Sequence, residues 1–533
     1  MTKWDYTIVL LFMSASQAFT VNQLPVNYYS TTNLSVGNEM TQKYIIEMSE
    51  GLSTEYLTQT FDYLVAGNHE KIDCGDVFIG AVVETSSENI DSLQGIPGIA
   101  NIWPVQAMSI PPPFALGKPP INDEGQDLTV HRWTGVQKLH ELGIKGKGAK
   151  VAIVDTGVDY SHEAGILVLQ KSIQNSLIEI LWITKAMAHM WQASSVAITH
   201  GTFSGVAPES ELFVYKVFSD EPGQSDTTED VLIQAFCDAY SAGRQLRLVQ
   251  ADVITASINR PNGFVDSPWA LVASRIAQKG VFVSIAAGNE GENGPFYSGA
   301  GSNGRHVVSV AAINTTGDPR VQKAGPASRP VAAYFTSWGP TNELLLKPDI
   351  GAPGCNVIST YLDHGFQTDS GSSMAAPYIA GIAALYISEH GGRELHGSNF
   401  ATDLANRIIA SGQDVAWSTG EISFNESAPV FQVGTGLVDA RKVLLYKTQL
   451  SFDSIALLDT ELFRPDWNIT VTNRADRTVH YTFHHEPLPG LEIYDGAGAI
   501  KLLSKLRPRN NISAVVSLPP GSSIKAGQTK TFK

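Results

Sequence analysis

Cysteine is scarce in this chain. Cys74, Cys237 and Cys355 are the only three in 533 residues, and they stand far apart. Their spacing is not that of metal ligands, which argues against a zinc site. Two states are open: a Cys237–Cys355 bridge, with Cys74 in a part removed on maturation, or buried free thiols. Positive charge is also in deficit, with 37 Lys and Arg against 52 Asp and Glu. The resulting net charge of −15 argues against nucleic acid and anionic membranes as partners. No apolar run is long enough to cross a bilayer. No His-Glu-x-x-His occurs, which excludes the metalloproteases built on that motif. No Gly-x-Ser-x-Gly elbow follows a strand, which disfavours a lipase-like hydrolase.

Hydrophobic residues make up 43% of the chain, enough for a sizeable core. The length allows roughly two to four domains. Lys3, the apolar run 7–13 and Ser16-Gln17-Ala18 form a signal-peptide pattern over residues 1–18, which places the protein outside the cell. Asn-x-Ser/Thr sequons at Asn33, Asn314, Asn425, Asn468 and Asn511 are compatible with a secreted glycoprotein.

The most informative stretch is Asp369-Ser-Gly-Ser-Ser-Met-Ala-Ala-Pro377. A small, Gly-rich turn delivers the Ser373 hydroxyl to the start of an apolar helix. Unpaired N–H groups and the helix dipole favour negative charge there, which suits a nucleophile. A plain helix cap is the alternative. Pro377 is expected in the first helical turn, where a missing N–H costs little. Upstream, the apolar strand 150–154 ends in Asp155, at the carboxyl end where catalytic groups gather in α/β folds. A second buried strand, 281–287, closes on Gly288-Asn289-Glu290, and the Asn289 amide suits a developing oxyanion. Ser257, Ile258 and Asn259 follow a strand at 251–256 and offer an extended edge to a peptide.

Together these segments resemble the subtilisin-like serine proteases, in particular large secreted subtilases of the minor extracellular protease and C5a-peptidase-like types. Asp155-Thr-Gly, Gly205-Val-Ala-Pro208, Ala287-Gly-Asn289, Lys347-Pro-Asp-Ile-Gly-Ala-Pro-Gly354 and Gly371-Ser-Ser-Met-Ala-Ala-Pro377 carry the resemblance, across residues 130–445. It implies that Ser373 attacks the peptide carbonyl, Asp155 orients the catalytic His, Asn289 completes the oxyanion hole, and Ser257, Ile258 and Asn259 bind substrate. No cofactor is implied. Structural calcium is common in the family, but no ligands are assigned here.

The base is out of place. The family supplies it in Gly-His-Gly-Thr-His-Val-Ala-Gly at the start of a helix, and no such run occurs. His200-Gly-Thr202 is the only His-Gly-Thr, yet Gly205-Val-Ala-Pro208 follows it without the intervening helix and loop. That reads as a spacer, and His200 is the candidate base only for an active form of this sequence. Residues 163–199 look foreign to the family. Back-translation of residues 182–195, read from the third base of each codon, forces Asp at Trp182/Ile183, Gly at Met187/Ala188, Val at Met190/Trp191 and Ala at Trp191/Gln192. All four fall where Asp-Asn-Glu-Gly-His-Gly-Thr-His-Val-Ala-Gly needs them. The segment therefore reads as frameshifted, and the transcript sequence decides between a gene-model error and a true lesion.

The expected fold is α/β, a subtilisin-like parallel sheet with helices on both faces at 131–446. An inhibitory α+β propeptide is expected at 42–108, with strands at 43–48, 76–84 and 99–104 and helices at 57–64 and 90–93. A Pro/Gly-rich linker, 109–130, suits cleavage. Beyond Tyr446, strands at 451–457, 467–473 and 478–485 resemble the start of a fibronectin III-like sandwich over 447–533, stopping short with an open edge. Partners implied are peptide substrates and the chain's own propeptide. Asn259 stands where the family usually has Gly, so a side chain reshapes the first specificity pocket. Only 84 residues (373 − 289) separate Asn289 from Ser373, too few for an inserted protease-associated domain.

Overall fold

The computed structural model describes residues 6–10, 34–35, 40–49, 69–85, 89–108, 127–157, 168–172, 199–200, 203–218, 227–241, 250–316, 329–361, 365–457, 460–509 and 514–533, with Gly51, Tyr56 and Gln59 singly. Its centre is a run of parallel strands: β1 (Lys150–Asp155), β2 (Val168–Ser172), β3 (Glu211–Lys216), β4 (Val253–Ala256), β5 (Phe282–Ala286), β6 (Val308–Asn314) and β7 (Ile350–Pro353). Their spatial order is β2-β3-β1-β4-β5-β6-β7, with every neighbouring pair parallel. Short strands at Val331–Ala332, Ala416–Ser418 and Ser423–Ser427 extend it to ten.

These strands are apolar runs because both faces are covered. Side chains alternate across a strand. Val151 and Ile153 of β1 meet helix α3 (Ser372–His390), while Ala152 and Val154 meet helices α1 (Glu229–Ser241) and α2 (Pro268–Gln278). The expected α/β sheet with helices on both faces is therefore present. Ser267 caps α2, its Oγ accepting from the Ala270 N–H at 3.3 Å, and Pro268 opens the helix. Helix α3 is apolar all round and almost wholly buried, as a core helix must be. Gly381 lets it lie against Val206, whose side chain occupies the space a Cβ would need.

An N-terminal unit sits on the α1–α2 face. Strands Met40–Met48, His69–Asp73, Ile79–Thr85 and Ile99–Pro104 pair antiparallel, with helix Ile90–Gln94 capped by Asn89. Tyr44, Ile46, Met48, Ala81, Val83 and Leu93 form its own core. From its other face Ile45, Ile72, Phe78 and Val82 join the α1–α2 cluster. The helix expected at 57–64 lies largely outside the described residues.

The Cys237–Cys355 bridge is overturned here, as is the free-thiol alternative for Cys74 and Cys237. Cys74 of this unit is disulfide-bonded to Cys237 of α1, with Cα atoms 4.9 Å apart. Cys355 is buried and takes no part in a disulfide, the state that the thiol alternative gave it. Cys237 faces the N-terminal unit rather than the rest of its own domain, and a sequence separation of 163 conceals the pairing.

Beyond Tyr446 two small sheets face each other: Thr448–Ser451, Ile469–Asn473 and Thr529–Phe532 in one, and Tyr6–Leu10, Val479–His485 and Ser522–Ile524 in the other. Val471, Tyr481, Phe483, Ile524 and Phe532 fill the space between. The first strand ends at Ser451, where a run to 457 was expected. Tyr6–Leu10, part of the signal-like run, lies parallel to Val479–His485 and covers the edge expected to be open. Among the described residues no helix is long and apolar enough to cross a membrane.

Candidate functional site

The sheet order reverses its winding at β1: β2 and β3 lie on one side, β4 to β7 on the other. Parallel strands splay their connections at such a switch point and leave a crevice at their carboxyl ends. Register places Val154 of β1 beside Ala256 of β4, and Ala256 beside Ile285 of β5. Asp155, Ser257 and Asn289 thus emerge at one edge from three adjacent strands. Helix α3 starts at the same edge, with Ser373 as its second residue.

Pro377 is the sixth residue of α3, not a first-turn residue as expected. It has no N–H for the carbonyl four residues back, which belongs to Ser373. The Ser257 hydroxyl fills that vacancy, donating to the Ser373 carbonyl oxygen at 2.8 Å. In return the Ser373 hydroxyl donates to the Ser257 carbonyl at 3.4 Å. The first residue of the candidate substrate edge and the candidate nucleophile are thereby laced together.

Asn289 is held by its acceptor end. Its Oδ1 receives the Ser372 N–H at 2.9 Å and the Ser372 hydroxyl at 3.0 Å. An amide whose oxygen faces donors turns its NH₂ away from them, and the Asn289 Nδ2 stands at the Gly371 turn. Asp155 is half-buried, its Oδ1 accepting the Thr156 N–H at 2.5 Å. Lys216 reaches across from β3 and donates to the Thr156 carbonyl at 2.5 Å, steadying that turn. Burial raises the Asp369 carboxyl to about 6, against one opposing bond from the Ser370 N–H.

Glu290 and Ser337 were missed by the sequence reading. One carboxylate oxygen of Glu290 accepts from the Asn289 N–H at 2.8 Å, the Asn259 Nδ2 at 2.9 Å and the Ser337 hydroxyl at 2.8 Å. This joins the oxyanion candidate to the substrate edge. Adjacency to Asn289 was the only signal for Glu290, and Ser337 had none. Asn259 is wedged between Gly288 and Gly299, neither of which has room for a Cβ beside it. Its side chain is only 4% exposed and its Oδ1 has no partner. Ile258 sends its side chain into the α1–α2 core, so only its backbone is available to a ligand.

His200 lies in a two-residue strand, Thr199–His200, antiparallel to Phe203–Ser204. Its side chain, and most of the frameshift-like segment 163–199, lie outside the described residues; β2 is the part of that segment described. Among the described residues no three His, Cys, Asp or Glu side chains converge as a metal site.

The profile of the subtilase family matches residues 146–409. A thermostable alkaline protease of Halalkalibacterium halodurans is 30% identical over 256 residues, covering 48% of this chain and 61% of the relative. Serine protease AprX of Bacillus subtilis is 30% identical over 294 residues, covering 51% and 62%. Subtilisin of Bacillus pumilus is 28% identical over 256 residues, covering 47% and 81%. The chain thus spans about three fifths of the first two relatives' length.

Proposed function

We propose, from the match of residues 146–409 to the subtilase family, that the chain is a secreted serine endopeptidase, made as a zymogen, that cleaves peptide bonds through an acyl-enzyme on Ser373. The observation that carries this reading is the pairing of Ser373 with Ser257 at the mouth of α3, beside an Asn289 amide whose oxygen is already engaged. The Ser373 oxygen adds to the substrate carbonyl while a base takes its proton. Asn289 Nδ2 and the Ser373 N–H receive the oxyanion. The C–N bond then breaks, and the base returns the proton to the leaving amine. Water repeats the sequence on the ester, releasing the acid and restoring the hydroxyl. An oxyanion donor of this kind is worth about 10²–10³ in rate, a figure that comes from subtilisin itself. Asp155 orients the base, which is His200 in this sequence or the histidine restored by the alternative frame of residues 182–195.

A propeptide role for residues 42–108 is supported by where that unit ends. Ala107–Met108 pairs antiparallel with Thr227–Thr228, and the Gln106 side chain bonds Arg260, next to Asn259. Its tail therefore runs beside the substrate edge. Asn425 and Asn468 are exposed and suit glycosylation, whereas Asn314 is buried and does not. The large secreted subtype and the fibronectin III-like character of 447–533 belong to the same reading.

A fluorophosphonate probe tests the activity. Labelling at Ser373, located by peptide mass spectrometry and absent from Ser373→Ala, is the expected result. No labelling even after the linker is nicked and the disulfide reduced favours the second reading, an inactive subtilase-fold protein that binds peptides. The loss of the family's His setting is the observation behind it. Labelling that survives in His200→Ala removes His200 as base.

A further inference from the structure

We propose that residues 42–108 stay attached to the catalytic domain as a disulfide-linked second chain after any cut within residues 109–126, and that their release requires a thiol reductant. This rests on the propeptide reading only in supposing that the linker is cut. The bond that decides it is Cys74–Cys237, which joins the N-terminal unit to the second half of α1. Backbone cleavage in the linker leaves that bond untouched.

The rest of the contact does not substitute for it. Lys43–Asp230 and Arg275–Glu47 are its partly buried ion pairs, each with one partly exposed member. Pairs of that kind contribute little to holding two bodies together. The apolar patch around Ile72, Phe78 and Val82 is larger, yet a non-covalent fragment still leaves by dilution. A tether converts rebinding into an intramolecular event at roughly millimolar effective concentration.

The bridge is also protected. Cys74 is 0% and Cys237 1% exposed, so an attacking thiolate has no approach to either sulfur in the closed form. Release needs local opening first. A dithiol then supplies two electrons and two protons. Its first sulfur forms a mixed disulfide as one cysteine leaves, its second closes the reductant's own ring, and both cysteines end as thiols.

The test uses the full chain, purified without reductant and nicked briefly with chymotrypsin, for which Phe114 is a site within the linker. Expected is one species on a denaturing gel without reductant, an additional N-terminal fragment with dithiothreitol, and a Cys74–Cys237 peptide pair by mass spectrometry. Free migration of the N-terminal fragment without reductant overturns the proposal. So does alkylation of both cysteines in the unfolded, unreduced chain, a readout that needs neither a variant nor a successful nick. Cys237→Ser, where it folds, is expected to shed the fragment without reductant. The inhibitor role is read separately, as fluorophosphonate labelling of nicked protein before and after dithiothreitol. Equal labelling in both defeats the inhibitor reading while the gel still decides the tether.

Discussion

At the scale of single residues, Pro377 explains why Ser257 matters. The proline opens a gap in the hydrogen-bond ladder of α3, and the Ser257 hydroxyl occupies it at the carbonyl of Ser373, the candidate nucleophile. Ser257→Ala leaves that carbonyl without its side-chain donor, at a cost of about 1–3 kcal/mol. The thermal midpoint and the rate of Ser373 labelling should both fall, and Ser257→Thr should keep both. Pro377→Ala restores an N–H to the ladder, so the two substitutions should couple in a double-mutant cycle by about 1 kcal/mol. Strict additivity would refute the link. Glu290 makes a second such case. Three donors converge on one of its oxygens, and bonds to a charged acceptor contribute about 1.5–3 kcal/mol. Glu290→Ala should lose about that much in chemical denaturation, and an unchanged midpoint would remove its positioning role. Ser373 and Asp155 were readable in the sequence because each ends an apolar run in a distinctive short motif. Glu290 was not, because its partners Asn259 and Ser337 come from other strands and loops.

At the scale of elements, two buried titratable groups make opposite demands on pH. His131, on helix Asp127–Thr134, bridges to α3: its Nε2 donates to the Ser204 carbonyl at 2.7 Å, so neutral Nδ1 accepts from the Tyr378 hydroxyl at 2.7 Å. Desolvation lowers its pKa from 6.5 to about 4. Between those values the unfolded chain binds more protons than the folded one, so stability rises with pH across that window. The loss on acidification is about 3 kcal/mol. Glu229, at the start of α1, behaves in reverse. Burial raises its pKa from 4.5 to about 7, only partly offset by the Trp269 N–H and Arg260. There the folded chain binds more protons, so stability falls as pH rises from 4.5 to 7, again by about 3 kcal/mol. His131→Gln should flatten the acid side of a stability–pH profile, and Glu229→Gln the neutral side, in denaturation series from pH 4 to 8. A profile that neither variant changes would show both groups titrating normally. The element boundaries themselves were largely legible. The strand Ile99–Pro104 has the bounds expected from its sequence, and β5 coincides with most of 281–287, because a fully buried strand leaves a continuous apolar stretch. The strand expected at 451–457 ends at Ser451, where alternation continues beyond the last pairing partner.

At the scale of the whole molecule, segments distant in sequence complete one another's cores. Leu503 and Leu506 are buried with Trp338, Trp417 and Phe431, so a segment beyond Tyr446 serves the core of the region that precedes it. Leu506→Ala should destabilise that region by about 2–5 kcal/mol, the usual cost of a buried leucine truncation. A matched drop in thermal midpoint and earlier exposure of Trp338 and Trp417 fluorescence would confirm it; an effect confined to the C-terminal sheets would contradict it. By itself the sequence carried the subtilase resemblance, the candidate nucleophile, the parallel α/β class and the absence of the usual His setting, since these reside in local motifs and in runs of apolar residues. Tertiary structure alone decided which strands flank β1, that Ser257 repairs the gap left by Pro377, and that Cys74 joins Cys237. Each of these depends on contacts between residues far apart along the chain, and no short-range pattern encodes which distant partner packing will bring within reach.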